Sequence, residues 1–263
     1  MDGKSYAAIV LAAGKGKRMH SSVQKQFLLL DGKPLLYYSL RAFEDSPVER
    51  VILVTGEEEI SFCRQEIVER FGFSKVCGIV AGGKERYHSV YAGLCALEAW
   101  AGWRPERPEP GTKPEPGWQP ASDSRIVDDC CVLIHDGARP FVDQGIIGRV
   151  MEDAAAYGAC AAGMPSKDTV KLADGRGFAA RTPDRSCVWT VQTPQAFSYA
   201  LIRGAYDRMM EKEEYQSRIT DDAMVVETMT GGKVKLTEGS YRNLKVTTPE
   251  DMAVAEALLR DTP

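Results

Sequence analysis

The sequence lacks several features that would assign it to a protein class at once. No apolar run among its 263 residues approaches the roughly 20 that a membrane-spanning helix needs. Glycine and lysine interrupt the first 14 residues, so we expect no secretory signal peptide. The net charge of −4 gives no general reason to expect nucleic acid or an anionic membrane as a partner. With 44% hydrophobic residues the chain can bury a sizeable core, and we expect it to be globular.

The cysteines also lack the pattern of a metal site or a disulfide framework. Seven of them are scattered along the chain, odd in number and never in C-x-x-C spacing. Extracellular disulfide scaffolds and zinc sites both require regular spacings. The pattern is typical of a protein kept in a reducing compartment, and we predict a cytoplasmic location.

Two familiar phosphate-binding signatures are missing from the glycine-bearing stretch near the start. An apolar run at residues 7–11 predicts a buried first strand, after which these signatures would stand. A P-loop would continue from Gly16 and Lys17 with Ser or Thr, but Arg18 follows. A dinucleotide-binding loop would place a third glycine where Met19 stands. Neither the P-loop nor the dinucleotide fold is therefore indicated.

What this stretch does contain still favours an anionic ligand. Small residues directly after a buried strand let backbone N–H groups approach a ligand closely, and nearby cations suit a polyanion such as a nucleoside triphosphate. A plain βα turn with solvated lysines explains the same letters. The small residues are Ala12, Ala13, Gly14 and Gly16, and the cations are Lys15, Lys17, Arg18 and Lys25.

Alternating strands and helices predict an α/β fold with a mostly parallel sheet and right-handed crossovers. The predicted strands are residues 7–11, 51–54, 76–80, 130–134 and 159–164. The predicted helices between them are residues 35–43, 60–71, 90–100 and 146–156.

Two further loops follow predicted strands and would meet the first loop at the same sheet edge, where open α/β sheets bind ligands. Gly82 and Gly83 follow the third strand, and Ser89 is predicted to cap the next helix. Asp136 follows the fourth strand and suits either a divalent cation or a ribose hydroxyl. Arg139 could bind a phosphate bidentately, although an Asp–Arg pair that shapes the turn explains both residues.

The alternation then changes at about residues 165–190. Two predicted strands, 166–172 and 187–190, flank a glycine-rich connection and indicate a β-arm that projects from the sheet. Such a hairpin is marginal alone, so we expect a homodimer that covers it. We also predict that residues 193–195 open a helix at 199–211, and that a last short strand at 243–247 precedes a helix capped by Thr248.

Residues 104–125 differ from the rest of the chain. Six of the fourteen prolines fall there, among Glu, Gly, Lys and Ser. This composition cannot bury enough apolar surface to order itself, so we expect a flexible surface insertion without chemistry of its own.

Taken together, the motifs carry a resemblance that covers the chain from about residue 7 to its end, apart from the proline-rich insertion. The sequence resembles the 2-C-methyl-D-erythritol 4-phosphate cytidylyltransferase family. The motifs are LAAGKGKRM, QKQF, AGGKERYHSV, HDGARPF, KDT, TPDR, QTPQAF, ITDDA and NLKVTTPED.

The resemblance implies a single Rossmann-like nucleotidyltransferase domain over residues 1–263, with the β-arm serving dimerisation. It implies CTP and Mg²⁺, with the phosphate of the sugar alcohol attacking the α-phosphorus of CTP.

The resemblance also implies catalytic roles for Arg18, Lys25, Arg185 and Lys245. It implies nucleotide contacts from Ala12, Ala13, Gly14, Lys15, Gly16, Gly82, Gly83, Ser89, Asp136 and Gly137. The sugar phosphate would be held by Arg139, Thr169, Arg185, Thr193, Thr220 and Lys245, and Asp136 is the candidate metal ligand. Lys84, where the family often has an acid, and the Tyr241–Arg242 pair depart from the family pattern.

Other functions remain open at this point. Ribitol-5-phosphate cytidylyltransferase shares nearly every loop and differs in substrate. Sugar-1-phosphate nucleotidyltransferases share the first motif but usually have a longer C-terminal region. An NAD-dependent oxidoreductase would need an acid at the end of the second strand, where Thr55 and Gly56 stand. A non-catalytic nucleotide-binding protein would have no need for Arg18, Lys25, Arg185 and Lys245 together.

Overall fold

The computed structural model describes residues 4–14, 24–101 and 130–261. The predicted insertion at 104–125 and the predicted site residues Lys15, Gly16 and Arg18 therefore lie outside the described residues, as does Lys17.

Within the described ranges, seven strands form the central sheet in the order β11-β7-β10-β6-β1-β4-β5. Strands β1, β4, β5 and β6 run parallel, as predicted. Strand β10 runs antiparallel between β6 and β7, and β11 pairs in parallel with β7. These strands are β1 (Ser5–Ala12), β4 (Arg50–Thr55), β5 (Val76–Ala81), β6 (Cys130–Asp136), β7 (Ala159–Pro165), β10 (Trp189–Ser198) and β11 (Lys235–Glu238). Two small hairpins supply the rest: β2 (Leu29–Leu30) with β3 (Lys33–Pro34), and β8 (Leu172–Ala173) with β9 (Ala179–Arg181).

Helices cover both faces of this sheet. They are α1 (Leu35–Glu44), α2 (Ile60–Phe62, continuing as a π-helix over Cys63–Glu69), α3 (Arg86–Ala101), α4 (Gln144–Tyr157), α5 (Tyr199–Met210), α6 (Asp222–Thr230) and α7 (Pro249–Arg260). Because side chains alternate along a strand, Ala8 and Val10 pack with α1, α2 and α4, whereas Ala7 and Ile9 pack with α3, α5 and α6. The result is a three-layer fold, and its α/β class and mostly parallel sheet are as predicted.

The end of the chain is anchored as the sequence predicts. Thr248 caps α7, its side chain accepting a hydrogen bond from the Asp251 N–H, and Pro249 occupies the first helical turn. The predicted strand at 243–247 is wrong, because in the described structure this segment pairs with no strand. It is held instead by single contacts, including one of 2.9 Å from the Val246 N–H to the Ala138 carbonyl.

The prediction that residues 193–195 open a helix is also wrong. They lie within β10, where Gln195 is opposite Ile134 on one side and Ala161 on the other. Proline is tolerated inside a sheet only at bulges or edges, and the register shifts between Val191 and Gln195, around Pro194. The bulge allows Pro194 to lie within a central strand.

The arm and the third helix differ from prediction in their bounds. The hairpin is shorter than expected, since Leu172–Ala173 pairs with Ala179–Arg181 and residues 189–190 already belong to β10. Helix α3 begins at Arg86 and not after Ser89, so Ser89 lies inside its first turn and is not its cap. Among the described residues, no helix combines the length and apolar character needed to cross a bilayer.

Candidate active site

The loops after β1, β5 and β6 meet at one edge of the sheet, as predicted. The Gly82 N–H donates to the Thr55 carbonyl at 2.7 Å, and the Gly137 N–H donates to the Leu11 carbonyl at 2.9 Å. A β-carbon at Gly82 would lie 2.6 Å from the β-carbon of Ala13, closer than real side chains approach. Glycine at position 82 is therefore a packing requirement at this junction.

Ser89 shapes the second loop from within α3. Its hydroxyl accepts a hydrogen bond from the Gly83 N–H at 3.2 Å, and it is buried with 4% exposure. A side chain at Gly83 would clash with His88, so the backbone there is closely covered. The three predicted nucleotide contacts of this loop, at Gly82, Gly83 and Ser89, therefore form one compact unit.

Lys25 is brought to the first loop by a buried neighbour. It begins a single 3₁₀ turn, Lys25–Phe27, and its Cε would lie 3.9 Å from a β-carbon at Gly14. The side-chain amide of Gln26, only 1% exposed, donates to the carbonyl of Ala12. Gln26 was missed by sequence reasoning, although it stands inside the QKQF motif. It fixes the turn that places Lys25 beside the small residues after β1.

The centre of the site is the carboxylate of Asp136, at the end of β6. Its Oδ2 accepts a hydrogen bond of 2.7 Å from Lys245 Nζ and lies 4.0 Å from Arg139 Nε. Its Oδ1 lies 3.4 Å from Arg86 Nε. Three cations from three different parts of the chain thus converge on one buried acid. Sequence reasoning had named Asp136, Arg139 and Lys245 but not Arg86.

These cations determine the ionisation of the cluster. Burial alone would raise the pKa of Asp136, but Arg86, Lys245 and Arg139 outweigh it and hold that pKa well below its usual range. Burial lowers the pKa of Arg139, and the nearby Asp136 counteracts this only in part. Asp136 is therefore a permanent anion surrounded by more positive charge than it neutralises.

A second acid, Asp222, binds Arg86 from the opposite side. Arg86 donates two parallel hydrogen bonds of 2.8 and 2.7 Å to the carboxylate of Asp222, which is fully buried. The Tyr206 hydroxyl donates to the same carboxylate at 2.6 Å. Burial opposes the charge on Arg86, yet the two acids raise its pKa well above the usual value. Asp222 and Tyr206 were not predicted as site residues.

His135 and Thr193 form a directed chain of hydrogen bonds beneath Asp136. The Asp136 N–H donates to the Thr193 hydroxyl oxygen at 3.0 Å, and that hydroxyl lies 3.1 Å from His135 Nδ1. His135 Nε2 lies 3.4 Å from the Arg139 carbonyl, which can only accept. Nε2 therefore carries the proton, and Thr193 donates to Nδ1. Thr193, predicted as a substrate contact, supports the Asp136 turn in this structure.

A buried amide holds the segment that carries Lys245. The side-chain Nδ2 of Asn243 donates to the Thr193 main-chain carbonyl at 2.9 Å. The main-chain carbonyl of Asn243 accepts a hydrogen bond of 2.7 Å from the Arg139 guanidinium. Both β10 and the Asp136 turn therefore fix the position of this segment. Lys245 projects from it and remains 35% exposed.

Three predicted substrate contacts lie outside this cluster. Thr169 and Arg185 are exposed on the arm segment, and within the described ranges no hydrogen bond or ion pair joins either side chain to Asp136 or its partners. Thr220 is exposed just before α6, two residues from Asp222, and its hydroxyl contacts the Met224 sulfur at 3.6 Å. The structure therefore brings Thr220 near the site but leaves the other two on the arm.

The described residues do not fit a metal site built by the protein. Among them, no group of three or more His, Cys, Asp or Glu side chains could hold an ion. Both oxygens of Asp136 already face cations, which disfavours a divalent ion at that carboxylate. Asp136 as a metal ligand is therefore not supported.

Comparison with known proteins gives one consistent result. The family model described as 2-C-methyl-D-erythritol 4-phosphate cytidylyltransferase matches residues 6–104 and 125–261, leaving out nearly all of the proline-rich segment. A curated relative of that name from Lachnoclostridium phytofermentans is 46% identical over 255 residues, covering 97% of this chain and 96% of the relative. Another from Clostridium kluyveri is 42% identical, covering 98% of this chain and 97% of the relative.

Solved structures agree with these relatives. The 4-diphosphocytidyl-2C-methyl-D-erythritol synthase of Anaerococcus prevotii superposes with a TM-score of 0.76 at 29% identity, covering 98% of this chain and 97% of that one. The 2-C-methyl-D-erythritol 4-phosphate cytidylyltransferase of Thermus thermophilus gives a TM-score of 0.66 at 28% identity, covering 97% and 99%.

The buried histidine generates a prediction about pH. Burial lowers the pKa of His135 from 6.5 to about 4. At His135, protons then bind the unfolded chain more readily than the folded one. The contribution of neutral, buried His135 to the free energy of unfolding is therefore complete above pH 6.5 and is lost as the pH drops from 6.5 towards 4. The lowering corresponds to on the order of 3 kcal/mol. Unfolding in urea between pH 7 and 5 should show more than half of this loss, and NMR should show the His135 ring neutral at pH 5.

The matched control is His135→Gln, which keeps a side-chain donor and acceptor but does not titrate. We expect its stability to change less with pH over the same interval. An equally steep pH dependence in the variant, or a His135 ring that titrates near pH 6.5, would contradict the assignment.

Proposed function

The chain belongs to the 2-C-methyl-D-erythritol 4-phosphate cytidylyltransferase family, and we propose that it transfers CMP from CTP to 2-C-methyl-D-erythritol 4-phosphate. The products are 4-diphosphocytidyl-2-C-methyl-D-erythritol and pyrophosphate. The family's members named above act on the methylerythritol compound, so ribitol 5-phosphate is not favoured as the acceptor.

The observation that carries the proposal is that closely packed glycine loops and an excess of positive charge lie at the same edge of the sheet. Arg86, Arg139 and Lys245 bring three positive charges to the site, against the two negative charges of Asp136 and Asp222. A bound phosphate would neutralise the surplus. Lys245 is the most accessible of the three, and we assign it and Arg139 to the methylerythritol phosphate.

The reaction needs positioning and fixed positive charge more than proton transfer. A phosphate oxygen of methylerythritol phosphate attacks the α-phosphorus of CTP, and the bond from that phosphorus to the bridging oxygen breaks in line. A phosphate dianion is already nucleophilic near neutral pH, so no general base is required. Lys25, against Gly14, and Arg18 are assigned to the charge that develops on the α-phosphate and the leaving pyrophosphate.

Backbone groups of the glycine loops are assigned to the nucleotide. The loops at residues 12–14 and 82–83 consist of small residues, so their main-chain atoms lie close to the sheet edge where the nucleotide would bind. Recognition of cytosine needs partners for its amino group and carbonyl, which such atoms supply. We propose that Mg²⁺ is held by triphosphate oxygens and water, as is common for this ion, and not by a protein cage.

We propose that two chains associate through the arm. Leu172 and Phe178 lie together on the β8–β9 hairpin and are 48% and 69% exposed, so this small hairpin presents apolar side chains that suit a partner surface. Thr169 and Arg185, absent from the cluster of their own chain, would then serve the site of the second copy. The seven cysteines are all free thiols, which supports the proposed cytoplasmic location.

The first test measures pyrophosphate release from CTP and Mg²⁺ with methylerythritol phosphate or ribitol 5-phosphate. We expect turnover with methylerythritol phosphate only. Arg18→Ala and Lys25→Ala should each lower kcat by about 10²–10³-fold, by analogy with the loss of one transition-state hydrogen-bond donor. Lys212→Ala, at an exposed lysine just before the 3₁₀ turn Glu213–Tyr215 whose ion pair is with Glu214, should leave kcat unchanged. Turnover with ribitol 5-phosphate and none with methylerythritol phosphate would contradict the proposal and identify ribitol 5-phosphate as the acceptor.

The second test concerns the dimer. Sedimentation velocity should give a species of twice the 28.9 kDa chain mass. Phe178→Asp should shift it towards the monomer and lower activity at dilute concentrations, because a charge would be buried in the contact. Tyr157→Asp is a control at a similar exposure of 61% on α4 and should do neither. A monomeric wild type with full activity would refute the assignment of the arm.

A further inference from the structure

We propose that Arg86 is a positioning residue that holds three segments of the active site in one arrangement, through its contacts with Asp222 and Asp136. The three segments are the Gly82–Gly83 loop with the first turn of α3, the turn at Asp136 and the start of α6. The inference deepens the proposed function, and its kinetic test rests on that function.

The guanidinium of Arg86 contacts acids from two separate elements at once. It donates two parallel hydrogen bonds to Asp222, at the start of α6, and its Nε faces Asp136 Oδ1 at 3.4 Å. Arg86 itself begins α3, directly after the Gly82–Gly83 loop. A planar guanidinium can form this fork and still present a third N–H, which a lysine ammonium cannot match geometrically. One side chain therefore links three chain segments.

The carboxylate of Asp222 is fully paired and fully buried. Asp222 Oδ1 accepts from Arg86 and from the Tyr206 hydroxyl, and Oδ2 accepts from Arg86. Asp222 has no exposed surface, whereas the Arg86 side chain is 29% exposed. A buried ion pair contributes little net stability because its desolvation offsets its attraction. Its place beside the active site is better explained by the geometry that it imposes.

Arg86 also orients the carboxylate that Lys245 touches. Asp136 Oδ1 faces Arg86, and its Oδ2 accepts from Lys245 at 2.7 Å. Loss of the Arg86 contact frees the carboxylate to rotate, and Lys245 would follow it. The proposed phosphate-binding lysine therefore depends on a residue that itself need not touch substrate.

The start of α6 is fixed from its other side by Gln195. The side-chain Oε1 of Gln195 accepts from the Ala223 N–H at 2.8 Å, and its Nε2 donates to Asp221 Oδ2 at 2.9 Å. Together with the hydrogen bonds from Arg86 to Asp222, these contacts fix three consecutive residues, 221–223. Thr220, a predicted substrate contact, precedes them directly. The same network thus positions residues assigned to the nucleotide and to the sugar phosphate.

The test compares variants that keep or remove the buried charge. R86Q alone leaves Asp222 as an unpaired buried acid and can unfold the protein, so the R86Q/D222N double variant is the primary one. R86K keeps a cation but cannot form the fork. The control is R203Q/D207N, which removes an ion pair of 3.0 Å on α5 and its contacts with Glu98 and Tyr91 on α3, but no contact with Asp136 or Asp222.

The kinetic readout is kcat/KM for each substrate, corrected for the folded fraction measured by circular dichroism. We expect R86Q/D222N to lower kcat/KM for both CTP and methylerythritol phosphate by about 10–100-fold, as loss of supporting contacts does in metal sites. R86K should lower them by about tenfold, and R203Q/D207N should change neither. Values within twofold of wild type in R86K and R86Q/D222N would overturn the proposal.

A second readout does not depend on the reaction. Hydrogen exchange should rise together at the Gly83 and Ala223 amides in R86Q/D222N, by about tenfold, because the two segments lose their shared anchor. R203Q/D207N should raise neither. Unchanged exchange at either amide would overturn the linkage. A wild type without turnover would refute the proposed function, whereas the exchange result would still decide the role of Arg86.

Discussion

The buried carboxylate of Asp136 is the interaction on which the rest of the site depends. An acid at the end of an apolar strand is tolerated only when it is paired, and here its partners come from α3, from the turn after β6 and from the segment before α7. Pairing one acid with three cations draws distant parts of the chain to one sheet edge. It also leaves a surplus of positive charge, which is what a site for phosphates requires.

The scaffold explains why this charge can be held in place. The parallel strands β1, β4, β5 and β6 end together, and their loops are packed so closely that Gly82 cannot carry a side chain. Below them, His135 and Thr193 tie the Asp136 turn to β10, and Asn243 ties β10 to the Lys245 segment. The cations are therefore positioned before any substrate arrives, which is the condition for electrostatic catalysis.

Local patterns predicted most of the fold, because buried parallel strands are apolar runs and amphipathic helices repeat every 3.6 residues. They failed at β10, where Pro194 looked like a helix start. The strand there depends on its neighbours β6 and β7, and the proline is accommodated by a bulge. The segment at 243–247 has strand-like residues but no strand partner within the described structure, so local propensity overstated its order.

The site was predicted in part for the same physical reason. Gly82 and Asp136 follow strands directly, and their role follows from the sheet edge they share. Arg86, Asp222 and Tyr206 were missed because their contacts are distant in sequence. Asp222 lies 136 positions after Arg86 and 16 positions after Tyr206, and no local periodicity encodes such pairs. Arg86 and Asp222 do stand inside two of the motifs, AGGKERYHSV and ITDDA.

The most direct test of the central role of Asp136 is the activity of Asp136→Asn, which removes one charge and keeps the shape. The account predicts that kcat/KM falls by about 10²–10³-fold, because Lys245 and Arg86 lose the anion that orients them. Asp45→Asn, at an exposed acid just after α1, is the control and should retain wild-type activity. An Asp136→Asn enzyme that stays folded and works within twofold of wild type would contradict the account.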